Sequence, residues 1–225
     1  MKHRNSHLLA GYWSRLRAGR DAPDQADIDP RALKRILPNI FILDSHNCAR
    51  PDYRLAGTAL CDRFGRELRG TGFLAHWEAS AHEPLARLLA LSLRNCQPVW
   101  LSATGTTAQC AVVEMETVLA PLAFGAGAPR RFLGITQFLG DLTPLGGKPI
   151  AYERLTGSGT VRENDVADPM DPPPPQFHSR FPVPAGPRLR LVVSHEPTTL
   201  HCDLDEGMQR LVGALEILPR TRVTH

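Results

Sequence analysis

Three apolar segments in the middle of the chain, Val99 to Thr104, Cys110 to Leu119 and Arg131 to Leu139, follow one another with no helical pattern between them. Strands joined this way pair antiparallel, because a parallel pair needs a crossover of a dozen or more residues. The middle segment alternates, with Val113, Met115, Thr117 and Leu119 on one face and Val112, Glu114 and Glu116 on the other. That alternation predicts one buried face and one wetter face, both glutamates facing water. A three-stranded meander therefore anchors the fold.

The residues before it supply two more strands and a helical block. Ile40 to Leu43, bounded by Pro38-Asn39 and the polar run Asp44-Ser-His-Asn47, reads as a buried strand. In the next strand Tyr53, Leu55 and Gly57 point one way and Asp52, Arg54 and Ala56 the other. Thr58 is placed to cap a short helix carrying Leu60, Cys61, Phe64 and Leu68. Ser80-Ala-His-Glu83 has capping-box spacing, with Pro84 in the first turn, and opens a helix whose stripe is Leu85, Leu88, Leu89 and Leu93.

At the amino end Leu8, Leu9, Tyr12, Trp13 and Leu16 recur at helical spacing, while Arg15, Arg17 and Arg20 lie off the stripe. Gly19 sits where that helix would stop. Two large aromatics on one stripe must be buried, against the chain's own sheet or against a second subunit. Asp29 then caps a helix starting at Pro30, and Pro38 ends it.

Beyond Asp141 the composition shifts to proline and glycine. The reading divides the chain into an N-terminal amphipathic helix (1–25), a core (26–143), a Pro/Gly-rich linker (144–178) and a C-terminal strand–helix extension (179–225). In the extension Leu189, Leu191 and Val193 alternate, and Leu204, Met208, Leu211, Leu215 and Leu218 repeat at helical spacing.

A chain of 225 residues with 42% hydrophobic and 22% charged residues is long enough for a sizeable core. Its formal charge of +3 implies no nucleic-acid partner. Neither a signal-peptide core nor a membrane-length apolar run is present, so residence in the cytoplasm is expected. The five scattered cysteines contain no C-x-x-C pair and read as reduced, mostly buried thiols.

Several motifs together carry a family likeness: Tyr12-Trp13, Leu16-Arg17-x-Gly19-Arg20 with Ala22-Pro23, Asp27-Ile-Asp-Pro30, Leu37-Pro-Asn-Ile-Phe-Ile-Leu-Asp44, Tyr53-Arg-Leu-Ala-Gly-Thr58, Phe64-Gly-Arg-Glu-Leu-Arg-Gly70 and Gly140-Asp-Leu-Thr143. With them the chain resembles the PAS domains, specifically a bacterial, largely alphaproteobacterial PAS family, over about residues 11–143. The resemblance implies an α+β fold: a five-stranded antiparallel sheet with helices packed on one face, plus N-terminal helices and a C-terminal extension. It also implies a sensory or regulatory role in signal transduction, through a small ligand, protein contacts or both. The alternative is an adaptor or scaffold with a filled core.

Candidate chemistry is sparse. No G-x-S-x-G elbow, H-E-x-x-H helix or Walker A loop is present, so no catalytic residue is assigned and no enzyme is expected. Cys61 lacks the sequence context of a flavin-reactive cysteine, His76 and His82 are placed poorly for haem ligation, and His195, His201 and Cys202 match no zinc spacing. No cofactor or metal is therefore named. A ligand pocket is expected among Tyr53, Leu55, Phe64, Trp77, Leu89, Met115 and Ile135, and a partner interface at Tyr12, Trp13 and Leu16. Arg63, Arg66 and Arg69 would form a basic edge if their helix continues. The expected partner is a protein or a second copy of the chain, without a membrane; nucleic-acid binding is a third and lesser reading that rests on the arginine clusters alone.

Overall fold

The computed structural model describes residues 1–45, 50–125 and 129–162. Its helices are α1 (Arg4–Arg17), α2 (Thr58–Phe64) and α3 (Ala79–Asn95). Its strands are β1 (Ile40–Asp44), β2 (Asp52–Ala56), β3 (Val99–Thr107), β4 (Val112–Leu122), β5 (Arg131–Leu139) and β6 (Ile150–Thr160). All six strands join one sheet in the order β2-β1-β5-β4-β3-β6, every neighbouring pair antiparallel. The extension expected at 179–225 lies outside the described residues.

The meander stands where the alternation placed it. The sheet has six strands instead of five, because residues 150–160, read from composition as linker, pair along β3. Two irregularities hid this strand. Its pairing passes from Gly157↔Ser102 to Leu155↔Ala103 and from Tyr152↔Thr106 to Ile150↔Thr107, so Thr156 and Ala151 are each one residue extra. Each bulge resets the in–out alternation and erases the period of two. The glycines that looked like linker have a use here, since a Cβ on Gly159 would press on the Trp100 indole across the strand pair.

The helical block between β2 and β3 covers one face of the sheet. Leu60 and Phe64 of α2 and Leu85, Leu89 and Leu93 of α3 pack with Phe41, Leu43, Leu101, Met115, Leu119 and Phe132. Each large side chain buried there contributes about 1.5–3 kcal/mol. α3 begins at Ala79 with Glu78 as an N-cap that makes no side-chain capping bond, so the box expected at Ser80 and Glu83 is absent and Pro84 lies inside the helix. Glu83 instead pairs with Arg87 one turn on, 2.8 Å away at the surface. α2 likewise begins after Gly57, with no capping bond from Thr58.

The other face is covered too, by the N-terminal segment. Leu9, Tyr12 and Trp13 of α1 join Ile28, Leu33, Ile36 and Leu37 over Ile40, Ile42, Val118, Leu133 and Ile135. The Trp13 indole N–H donates to the Pro121 carbonyl at 2.6 Å, and the Tyr12 hydroxyl accepts from the Asp29 N–H at 2.8 Å. Tyr12 and Trp13 are therefore core residues of this chain and not interface residues, with Leu16 packed beside them. Both aromatics cost too much left in water to wait for a partner.

This cover also corrects the wet-face reading of β4. Glu114 is exposed, but Glu116 is only 1% exposed and accepts from the Lys2 and His3 backbone N–H groups. Burial pushes the Glu116 carboxyl up, and hydrogen bonds from the N-terminal segment outweigh that and hold it below its ordinary range.

Two of the motifs meet at one point. Gly57 donates its N–H to the Ile40 carbonyl at 2.7 Å, and a Cβ there would overlap the carbonyls of Leu37 and Pro38. Only glycine lets the end of β2 pass that close to the start of β1.

Candidate functional site

Five of the seven residues expected to line a pocket come together. Tyr53, Phe64, Trp77, Leu89 and Met115 share the helix-covered face, whereas Leu55 and Ile135 lie on the N-terminal face. The reason for Leu55 is local. β1 pairs Ile42 with Leu55 but Leu43 with Tyr53, leaving Arg54 as an extra residue that turns Tyr53 and Leu55 to opposite sides. Ile135 sits opposite Ile40 in the β1–β5 register, and in a strand buried on both faces apolarity alone does not choose a side.

Aromatic rings organise the shared face. Phe41 meets Tyr53 edge-on with centroids 5.4 Å apart; Tyr53 and Phe73 lie at 5.8 Å, and Phe73 and Trp77 at 5.9 Å. The short turn Phe73–His76 carries Phe73 and His76 inward, and His76 lies 4.5 Å from Phe64 and 6.5 Å from Tyr53 between ring centroids.

Within this apolar wall sits a cluster of polar groups. Tyr53, His76, Trp77 and Glu153 are each 3–4% exposed. The Trp77 indole N–H is buried with no hydrogen-bond partner. Arg66 reaches in from the end of α2, its Nη2 3.0 Å from His76 Nδ1. Burial, and then the Arg66 charge, push His76 down to about 4, so its imidazole is neutral at neutral pH. Burial pushes Glu153 up to about 8 and leaves that carboxyl protonated at neutral pH. Burial, followed by Glu153, also raises the Tyr53 phenol well above its ordinary value. The cluster is thus neutral apart from the exposed Arg66.

Sequence reasoning placed neither His76 nor Glu153 at the site. His76 follows a glycine-rich loop with no periodic pattern, and Glu153 occupies the strand that its bulges concealed. The other candidates are engaged locally. His82 shares a hydrogen bond with the Trp77 carbonyl at 3.0 Å, and Cys61 Sγ lies 3.7 Å from Glu67 Oε1 with burial raising its thiol. α2 stops at Gly65 in the left-handed region, so Arg63 lies over the Phe138 ring while Arg66 turns to His76, and no continuous basic edge forms. Among the described residues no three potential ligands gather around a metal position. His195, His201 and Cys202 lie outside those residues.

A cleft of about 510 Å³ opens away from this cluster, between α1 and the end of α3, lined by Trp13, Arg17, Cys96, Pro98 and Arg162. Among the described residues no helix is long and apolar enough to cross a membrane.

A family model described as "PAS domain" matches residues 1–137, well over half of the chain. The chain belongs to the PAS domain family. No curated relative matches the sequence. Solved structures similar to this PAS protein include a LOV protein of Rhodobacter sphaeroides, 14% identical, covering 52% of this chain and 72% of that chain with a TM-score of 0.39. The LOV domain of the Erythrobacter litoralis EL346 blue-light activated histidine kinase is 20% identical, covering 46% of this chain and 96% of its own, with a TM-score of 0.35. The light-state LOV structure of the blue-light photoreceptor Aureochrome1 is 11% identical, covering 51% and 91%, with a TM-score of 0.37. The assignment rests on the family match, which places the protein among sensory signal-transduction domains. β6, which carries Glu153, lies beyond the matched residues.

Proposed function

We propose that this PAS protein is a bacterial, cytoplasmic regulator without catalytic activity, which senses through its buried polar cluster and reports through protein contacts, with a partner or with a second copy. The observation that carries the reading is the retention of Tyr53, His76, Trp77 and Glu153 together in an otherwise apolar interior. Buried polar groups without full hydrogen bonding cost stability, and such groups concentrate where function needs them. A small ligand at the cluster, or a change in its protonation, would shift the helical block relative to the sheet. β6 carries Glu153 and leads directly into residues 163–225, which couples the cluster to the rest of the chain.

A second reading, a ligand-free adaptor, draws on the contacts among Phe41, Tyr53, Phe73 and Trp77, which fill much of this face with one another. Thermal-shift screening against flavins, haem and a panel of small metabolites separates the two, with native mass spectrometry for retained ligand and subunit count. A rise in melting temperature with one compound, or a retained mass, supports sensing. Indifference to every compound, in a ligand-free protein that still self-associates or captures a partner, favours the adaptor. Indifference combined with no association of any kind overturns both.

A further inference from the structure

We propose that Glu153 and the edge strand around it form a proton-operated latch, so that hydrogen ion is an input this module senses. The inference rests on the regulatory reading above and names what the buried cluster responds to.

The argument starts from where the acid sits. Glu153 pairs opposite Gly105 of β3 and projects onto the helix-covered face, between the two bulges at Ala151 and Thr156. Its backbone carbonyl accepts the Glu78 N–H at 2.9 Å, and Trp77 bridges to it directly, so this residue ties β6 to the turn that carries His76 and Trp77. Between those bulges Tyr152 to Leu155 pair in register with Thr106 to Ala103, so β3 holds one side of this stretch. The tie is the restraint on its outer side, opposite β3.

Next come the groups around the carboxyl. Tyr53 of β2 lies near it as a neutral phenol, while Cys61 of α2, a protonated thiol, and His76 of the turn, a neutral imidazole, stand beyond it next to Tyr53. Arg66 is engaged with His76, His82 of α3 with the Trp77 carbonyl, and the neighbouring Arg154 points outward to Glu78 at 3.0 Å. Gly105 and Ala103 of β3 offer no charge. Among the described residues the Glu153 carboxyl has no hydrogen-bond or ion-pair partner, and the residue is 4% exposed.

An acid so placed has one comfortable form. Neutral, it tolerates the apolar wall; ionised, it has no counter-ion and must reach water. Water lies on the outer side of an edge strand, so the least costly route is for β6 to let go of the turn. Release would free Trp77 and Glu78 together with the strand that leads into residues 163–225. The chemistry is one proton leaving Glu153 to solvent, with no bond made or broken elsewhere.

Amide hydrogen exchange on the full chain from about pH 6 to about pH 9, corrected for the intrinsic pH dependence of exchange, tests the latch. Protection of the Glu78 N–H, which makes the tie, is expected to fall about tenfold or more across that range, while β4 and β5 keep theirs. The fall should follow the carboxyl titration of Glu153 recorded by carbon NMR on the same protein. Glu153→Gln, neutral at every pH, is expected to hold its protection throughout. An identical profile in Glu153→Gln overturns the proposal. So does a Glu153 carboxyl that titrates in the ordinary glutamate range, a reading made on the unaltered protein and independent of how the variant folds. Failure here leaves the regulatory reading standing, since ligand-induced thermal shift and subunit count judge that separately.

Discussion

On the N-terminal face of the sheet, most polar groups that go under cover are met by partners, though Gln137 Nε2 is buried without one. Glu116 takes the Lys2 and His3 N–H groups, Trp13 gives its N–H to Pro121, and Arg131 donates to Asp44 at 2.9 Å and to Gln25 at 2.6 Å. On the helix-covered face the Trp77 N–H is buried with no such answer, and Glu153 is buried with desolvation alone acting on its carboxyl. The first face behaves as a lid fastened by matched bonds. The second combines the larger aromatic core with a buried acid that desolvation keeps protonated, a pairing suited to sensing.

The contrast is open to attack at four points. Phe41 is fully buried under the helical block and lies over Gly134, where no side chain could replace it. Phe41→Ala should cost about 3–5 kcal/mol in urea unfolding, the cavity adding to the lost transfer energy. A loss near 1 kcal/mol would mean that this face is not the principal core.

The pH dependence of stability comes next. Glu153 rises from 4.5 to about 8 on folding, so its protonated form stabilises the fold below pH 4.5 and that contribution drains as pH climbs to 8. His76 falls from 6.5 to about 4, so its contribution is whole above pH 6.5 and drains as pH drops. Between pH 4.5 and 6.5 the two slopes oppose, and these groups should leave stability nearly level. Above pH 6.5 Glu153 acts alone, and stability should decline by about 1.4 kcal/mol per pH unit, about 2 kcal/mol by pH 8. Denaturant midpoints across this range check it, and Glu153→Gln should remove the alkaline decline.

Weakening the fastened face should do less. Glu116→Gln keeps the shape but gives up a charged acceptor, for an expected loss of about 1–2 kcal/mol, together with faster exchange in α1 and an unchanged β6. Smallest of all is Lys2→Ala. Its ammonium pairs with Glu114 at 3.3 Å, with the two side chains 65% and 68% exposed, and losing that pair should shift stability by less than about 0.5 kcal/mol.

The sequence made legible whatever kept a simple period. β4 alternates from Val112 to Met115 and is buried on both faces beyond, the connections around it are short, and the meander followed; the α1 stripe of Leu9, Tyr12 and Trp13 was equally plain. Bulges defeated the rest. One extra residue at Arg54 parted Tyr53 from Leu55, and two more disguised β6 as linker and hid Glu153. Burial under a distant segment was also invisible, because Glu114 and Glu116 read alike until Lys2 and His3 settle over one of them. The site was therefore half readable: its aromatic wall followed from the pattern, its acid did not.

The outer rim of β2 is occupied, since Tyr53 gives its N–H to Thr71 and accepts one from Gly70. At the opposite margin the Glu153 carbonyl is taken by Glu78, while the stretch from Arg154 to Thr160 runs on past that contact. Among the described residues, a foreign strand seeking to lengthen this sheet would find its opening there. Strand addition is obstructed at the β2 margin, and among the described residues the open run of the ladder is Arg154 to Thr160.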